Sequence, residues 1–136
     1  MDLVKSLKIA ASGLTAQSGR MRVIAENLAN ADSTAQTPGG DPYRRQVPSF
    51  RAEFDRELDA NVVRSGPLRP DKSDFELRHE PGHPAADENG YVKLPNVNSL
   101  VESMDMREAQ RSYEANLNIV QATRSMVMRT LDILRS

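Results

Sequence analysis

The sequence predicts a mainly α fold with a small β insert. Two long terminal helices form an antiparallel coiled-coil-like hairpin, and the central turn-rich segment holds a short β-hairpin. Three observations predict it. Leu3, Leu7, Ala10, Leu14, Gln17, Met21, Ile24, Leu28 and Ala31 follow an alternating four–three spacing, the rhythm of a coiled-coil seam. Met106, Tyr113, Val120, Val127 and Leu134 recur every seventh residue, with Leu117 and Leu131 filling in. Between these runs the chain is studded with proline and turn residues. A packing pattern at both termini implies that the chain ends are the packing surface and that the chain is built to assemble.

The first helix is expected to begin within residues 2–6 and to run to about Asn30. Gly13 and Gly19 each cost it up to ~1 kcal/mol relative to alanine, so it needs a partner. Ala10, Ala11, Ser12 and Gly13 are small enough to let another helix approach closely. Asn27 and Asn30, with Asp32, Ser33 and Thr34 behind them, end it, because short polar side chains bond locally to backbone and asparagine tolerates a left-handed turn. Thr37 to Pro42, with Pro38, Gly39 and Gly40 inside, is a loop. Tyr43 to Val47 reads as extended. Residues 50–60 pull both ways: Phe50, Phe54 and Leu58 have helical spacing, whereas Val47 and Val62-Val63 favour extended chain.

Pro67, Pro70, Pro81 and Pro84 break up residues 64–86. Among them Phe75 and Leu77 alternate with Asp74, Glu76 and Arg78, the period of a half-buried strand. Asp87 to Gly90 is a turn signal, and Tyr91 to Leu94 returns as the second strand of a hairpin ended by Pro95. Asn96 or Asn98 can cap the last helix, which spans roughly 97–134, and Glu102 in its first turns suits the dipole.

Composition limits the function classes. Aromatic residues make up 4% and hydrophobic residues 38% of 136 positions, too few for a large globular core. The net charge is −1, which favours neither nucleic acid nor an anionic membrane. Residues 32–95 carry nine basic and twelve acidic groups, so the insert is the acidic, solvated part. The absence of cysteine removes disulfides and thiol chemistry. No apolar run approaches the ~18 residues of a membrane span. Lys5, Ser6 and Lys8 interrupt the N-terminal apolar residues, so no cleavable signal peptide is expected, and export routes that leave the N-terminus intact stay open. The first helix has few cations and no Trp or Phe anchor, which favours partner helices over a membrane surface.

One string matches a zinc-protease pattern: His79-Glu80-Pro81-Gly82-His83 satisfies H-E-x-x-H. That motif works when a helix sets both imidazoles on one face. Proline and glycine in the middle oppose the helix, and these are the only two histidines, so a turn is expected and no metal. Serines have no histidine relay, and Gly39-Gly40 leads into no helix or phosphate-binding lysine. No enzyme and no cofactor are expected.

Four strings together resemble the flagellar axial rod and hook proteins. The first is Ser12 to Gln17 leading into Ile24 to Ala31, with Asn27-Leu28-Ala29-Asn30 at its centre. The second is Thr37-Pro38-Gly39-Gly40-Asp41-Pro42-Tyr43-Arg44-Arg45. The third is Glu80 to Asp87, then Gly90-Tyr91-Val92 and Leu94-Pro95-Asn96-Val97. The fourth is Arg111-Ser112-Tyr113-Glu114-Ala115-Asn116-Leu117 with the terminal heptads. The second and third strings single out the proximal-rod branch, while residues 46–78 match least.

The resemblance implies a structural subunit of the rod that crosses the periplasm and transmits motor torque. It implies export through the flagellar type III apparatus without N-terminal cleavage. It also implies partners in copies of itself, other rod subunits, the export gate and the MS-ring base, with no nucleic acid and no membrane insertion. By the same resemblance, residues 1–31 and 96–136 supply the two helices of an inner coiled-coil domain and residues 32–95 an insert outside it. The expected assembly residues are Leu3, Leu7, Leu14, Met21, Ile24, Leu28, Met106, Tyr113, Leu117, Val120, Val127, Leu131 and Leu134. The alternatives are another rod subunit of the family, or a soluble coiled-coil adaptor or export chaperone, which would not remain in purified basal bodies.

Overall fold

A computed structural model describes residues 2–136. The order is α1 (Leu3–Ala29), β1 (Gln46–Val47), β2 (Phe50–Asp55), β3 (Ala60–Ser65), β4 (Arg69–Pro70), β5 (Glu76–His79), β6 (Tyr91–Leu94) and α2 (Ser99–Arg135). The chain is helix-rich with small antiparallel β elements between its terminal helices, as the sequence implies. The strands pair antiparallel as β1 with β4, β2 with β3 and β5 with β6.

The helix ends follow from side-chain chemistry. The Asp2 carboxylate accepts the backbone N–H groups of Val4 and Lys5, at 3.0 and 3.3 Å, and so caps α1. Asn98 does the same for α2, accepting from Leu100 and Val101 at 3.1 and 3.3 Å. Of the two candidate caps Asn98 is therefore the one used; Asn96 is engaged elsewhere. Asn30 closes α1 by donating to the Glu26 carbonyl at 2.9 Å. Asn27, expected to help end the helix, instead stays within it and is fully buried.

Residues 50–65 settle as a hairpin. Six residue pairs join β2 to β3, from Phe50 opposite Ser65 to Asp55 opposite Ala60. The Asp55 carboxylate turns the chain by accepting from Glu57 and Leu58, and Asp59 takes a left-handed φ of 48°. The helical spacing of Phe50, Phe54 and Leu58 loses because the β-branched Val62 and Val63 supply a pairing strand. The expected hairpin at residues 75–94 is present, with Glu76 opposite Leu94 and His79 opposite Tyr91.

The chain divides into two compact units. The helical unit comprises the described residues of Met1–Met21, with Ser49–Pro67 and Arg107–Ser136. The insert unit comprises Arg22–Pro48 and Leu68–Met106. In the insert unit Ala85, Ala86 and Val92 form a small core with Ala35 against it. The loop that feeds this core is held by the Gly39 N–H donating to the Ala85 carbonyl at 3.2 Å, and Gly39 adopts a φ of 69° that favours glycine. Among the described residues no helix is long and apolar enough to cross a membrane.

Candidate assembly faces and a polar clasp

In the helical unit the expected seam is half-covered by the chain itself. Leu3, Leu7, Leu14 and Met21 of α1 are half-buried, as are Tyr113, Leu117, Val120 and Val127 of α2. The contacts run in opposite chain order. Leu3 and Val4 line a shallow groove with Val127 and Leu131. A Cβ on Gly13 would lie 2.9 Å from the Asn116 side chain, so the missing side chain makes room for it. Arg20 meets Glu108 at 3.7 Å. The β2–β3 hairpin lies along the same helix: Lys5 donates to the Asp59 carbonyl at 2.8 Å, and the Ser12 hydroxyl accepts from Val63 N–H at 3.2 Å.

The deepest burial in this unit falls beside the expected seam. Ala10, Ala16 and Ala109 are buried, and so is Thr123. Only Ala10 belonged to the four–three pattern. Small residues carry little weight in a hydrophobic stripe, so the true centre of the face was hidden between larger neighbours. At the far end of α2 the expected seam residues Leu131 and Leu134 are exposed and meet no comparable cover.

In the insert unit, residues from three of the rod-like strings come together in one hydrogen-bonded cluster. Asn27 is its hub. Its amide nitrogen donates to the Gln46 carbonyl at 2.9 Å and to Glu102 Oε2 at 3.4 Å. Its amide oxygen accepts from the Tyr43 hydroxyl at 2.7 Å and from Gln46 N–H at 3.0 Å. Two donors and two acceptor sites are thus all used. Asn96 accepts from Arg45 N–H at 2.8 Å and donates to the Asp71 and Ser73 carbonyls at 3.0 and 3.2 Å.

Arg45 links the cluster to α2. Its Nε donates to Glu102 Oε1, its Nη1 reaches Asp71 at 3.2 Å, and its Nη2 lies 3.8 Å from Asp105. The Glu102 side chain is 1% exposed, so it is buried against that guanidinium as its partner. Burial alone would lower the affinity of Arg45 for its proton. Glu102 and Asp71 outweigh that, and the guanidinium is held above its ordinary range. Burial pushes the Tyr43 phenol up, with Glu26 and Glu102 adding to the effect. Asp71 is held below the ordinary carboxylate range by hydrogen bonds from Ser73, backbone first and hydroxyl second, with Arg45 contributing against the opposing pull of burial. Beside it Arg44 donates to the Asp71 carbonyl at 2.6 Å and lies 4.2 Å above the Phe75 ring.

The insert unit also holds several other expected residues. Ile24 is buried, and Leu28 and Met106 are half-buried. Ala29 and Asn30 close the helix. Pro38, Gly39 and Gly40 shape the loop; a Cβ on Gly40 would come within 2.8 Å of the Thr37 hydroxyl. Pro95 is buried and Val97 half-buried where β6 leads towards α2. The histidine pair lies in a turn. The His79 ring packs edge-on to Tyr91 with centroids 5.0 Å apart, while His83 Nδ1 accepts from Ala85 N–H at 3.0 Å.

Comparison with known proteins gives the same outline. The family described as "Flagella basal body rod protein" matches residues 7–35, and "Flagellar basal body rod FlgEFG protein C-terminal" matches residues 88–133. The flagellar basal-body rod protein FlgC of Agrobacterium fabrum is 51% identical, over 95% of this chain and 93% of its own length. The FlgC proteins of Borreliella burgdorferi and Salmonella typhimurium are 40% and 39% identical, covering 99% and 98% of this chain and the same shares of their own.

Proposed function

Because this chain belongs to the family of flagellar basal-body rod proteins, as a structural rod subunit of the basal body and not an enzyme, we propose that its terminal helices form the antiparallel, coiled-coil-like inner domain through which it assembles. In this reading residues 1–31 and 96–136 make the inner domain, and residues 32–95 form the insert outside it. The expected seam, from Leu3 to Leu28 and from Met106 to Leu134, is the packing surface. The observation that carries the reading is the reversed order of contacts in the helical unit: Leu3 and Val4 with Val127 and Leu131, Gly13 with Asn116, Arg20 with Glu108.

The subunit assembles with other rod components. The finer reading adds copies of itself, the export gate and the MS-ring base as neighbours. It further holds that the rod spans the periplasm and that the chain is exported with its N-terminal helix uncleaved, because that helix is needed whole for packing. Torque then passes through repeated helix contacts, with no chemical step.

Leu14→Asp tests the seam. It sets a charge among apolar neighbours, where several kcal/mol is the expected order of magnitude, roughly. Incorporation into basal bodies, normalised to exported protein, should fall sharply, whereas Asp74→Lys on the solvated insert should change it little. Equal incorporation of exported Leu14→Asp subunits would remove the seam from the assembly surface.

A further inference from the structure

Residues 50–54 read Phe-Arg-Ala-Glu-Phe. Laid antiparallel on a copy of itself, this string sets Phe on Phe, Arg on Glu and Ala on Ala. It makes up most of β2, and every residue in it is exposed, the two phenylalanines by 43% and 56%. Among the described residues β2 pairs only with β3, so its outer edge is free. The polarity of that edge follows from the register. Gly66 N–H donates to the Ser49 carbonyl at 2.7 Å, which makes positions 49 and 66 a hydrogen-bonded pair. Bonded pairs alternate along an antiparallel ladder. Arg51, Glu53 and Asp55 therefore bond to β3, while Phe50, Ala52 and Phe54 direct their N–H and C=O groups outward. Val63, opposite Ala52, sends its N–H to Ser12 and away from β2, as that alternation requires.

We infer that this edge pairs with itself: two copies of the chain join β2 to β2 antiparallel, with Ala52 opposite Ala52 on a two-fold axis. A free edge bonds only through residues whose backbone groups point outward. This register sets Phe50 opposite Phe54 and Ala52 opposite its own copy, so every outward N–H meets an outward C=O. Arg51 then faces Glu53 of the second copy in the closer, non-hydrogen-bonded kind of pair, where side chains interact most. Within one chain Arg51 stands opposite Arg64, a like charge, and shares Glu53 with it at 3.4 and 3.9 Å. Glu53 of the second copy places an opposite charge on the free side of Arg51. Other registers fail. Sliding by two residues sets Arg51 against Arg51 or Glu53 against Glu53, and sliding by one sets outward residues opposite inward ones. Both copies use the same surface, so the contact closes as a pair and does not propagate. It belongs to the chain in solution and goes beyond the rod reading.

The test uses the purified full chain carrying Ala52→Cys. The protein has no native cysteine, so the thiol is unique. Facing residues of a hydrogen-bonded pair have Cα atoms about 5.5 Å apart, within disulfide reach. Mild oxidation should therefore give a covalent dimer on a denaturing gel. Adding Arg51→Glu, or Glu53→Arg, opposes like charges at both ends of the pairing and should slow that conjugate at least about tenfold. Mixing the two charge variants sets opposite charges face to face again. The cross-conjugate between differently tagged copies should then form at close to the parent rate. This rescue separates pairing from loss of folding, because mixing cannot refold a damaged chain. The inference is overturned by any of three results: no conjugate from Ala52→Cys, an undiminished one from either charge variant, or no return on mixing.

Discussion

The insert unit and the helical unit are held by opposite means. In the insert unit a buried amide has every donor and acceptor engaged, and a buried carboxylate is met by a guanidinium that two further carboxylates approach. In the helical unit Val62 and several small residues are buried, the larger apolar side chains of both helices stay half or wholly exposed, and a glutamine oxygen is left without a donor. Polar networks of the first kind are stable only when complete, because each unpaired buried group is penalised. The polar network of the insert unit is complete within one chain, although Leu68, Leu77, Leu100, Val101 and Met104 of that unit are exposed. The helical unit carries unspent apolar surface, which is what a subunit built for assembly requires.

That contrast can be broken most severely at Arg45. Arg45→Ala leaves Glu102 buried without its counter-ion, and urea unfolding of the purified chain should show a loss of about 3–5 kcal/mol. Asn27→Ala comes next. It strips four hydrogen bonds at once, of which some partners can turn to water, and about 2–3 kcal/mol is expected from the same measurement. An unchanged midpoint in either variant would mean that the clasp is not what holds the insert unit.

Acid sharpens the comparison further. The folded-state pKa of Asp71 is lowered, so its contribution is fully present above the unfolded value of about 3.9 and disappears as pH falls through the lower folded value. The urea midpoint should therefore drop on acidification below about pH 4, and Asp71→Asn should show a lower midpoint at neutral pH with a shallower acid slope. Leu134→Ser lies at the other extreme. This residue is 77% exposed, and its replacement should move chain stability by less than about 0.5 kcal/mol. A large loss there would show that the end of α2 is already packed within the isolated chain.

How much was legible in the sequence follows the range of the interactions. The limits of both helices and the hairpin at residues 75–94 rest on local signals, namely caps, prolines and periodicity, and were readable. The β2–β3 hairpin was not, because Phe50, Phe54 and Leu58 carry a helical rhythm that only pairing across the turn overrules. The clasp was hidden for a different reason. Asn27 and Glu102 stand 75 residues apart, and nothing near either one announces the other. Glu102 looked like a dipole-favouring surface acid, and Asn27 like a helix terminator. The one available hint was an asparagine beside an apolar stripe, a place where a polar side chain must find partners.

The saturated amide of Asn27 also has a bearing on chemical ageing. Hydrolysis of an asparagine amide yields aspartate, a change of one atom that leaves size and shape nearly intact. Here that atom is the nitrogen directed at the Gln46 carbonyl and at Glu102. An oxygen in its place would turn two hydrogen bonds into two acceptor–acceptor contacts and add a second negative charge beside a carboxylate that is already buried. The chain thus keeps a labile side chain at its least forgiving position. It is shielded there by complete burial inside a helix, where water has no access to the amide.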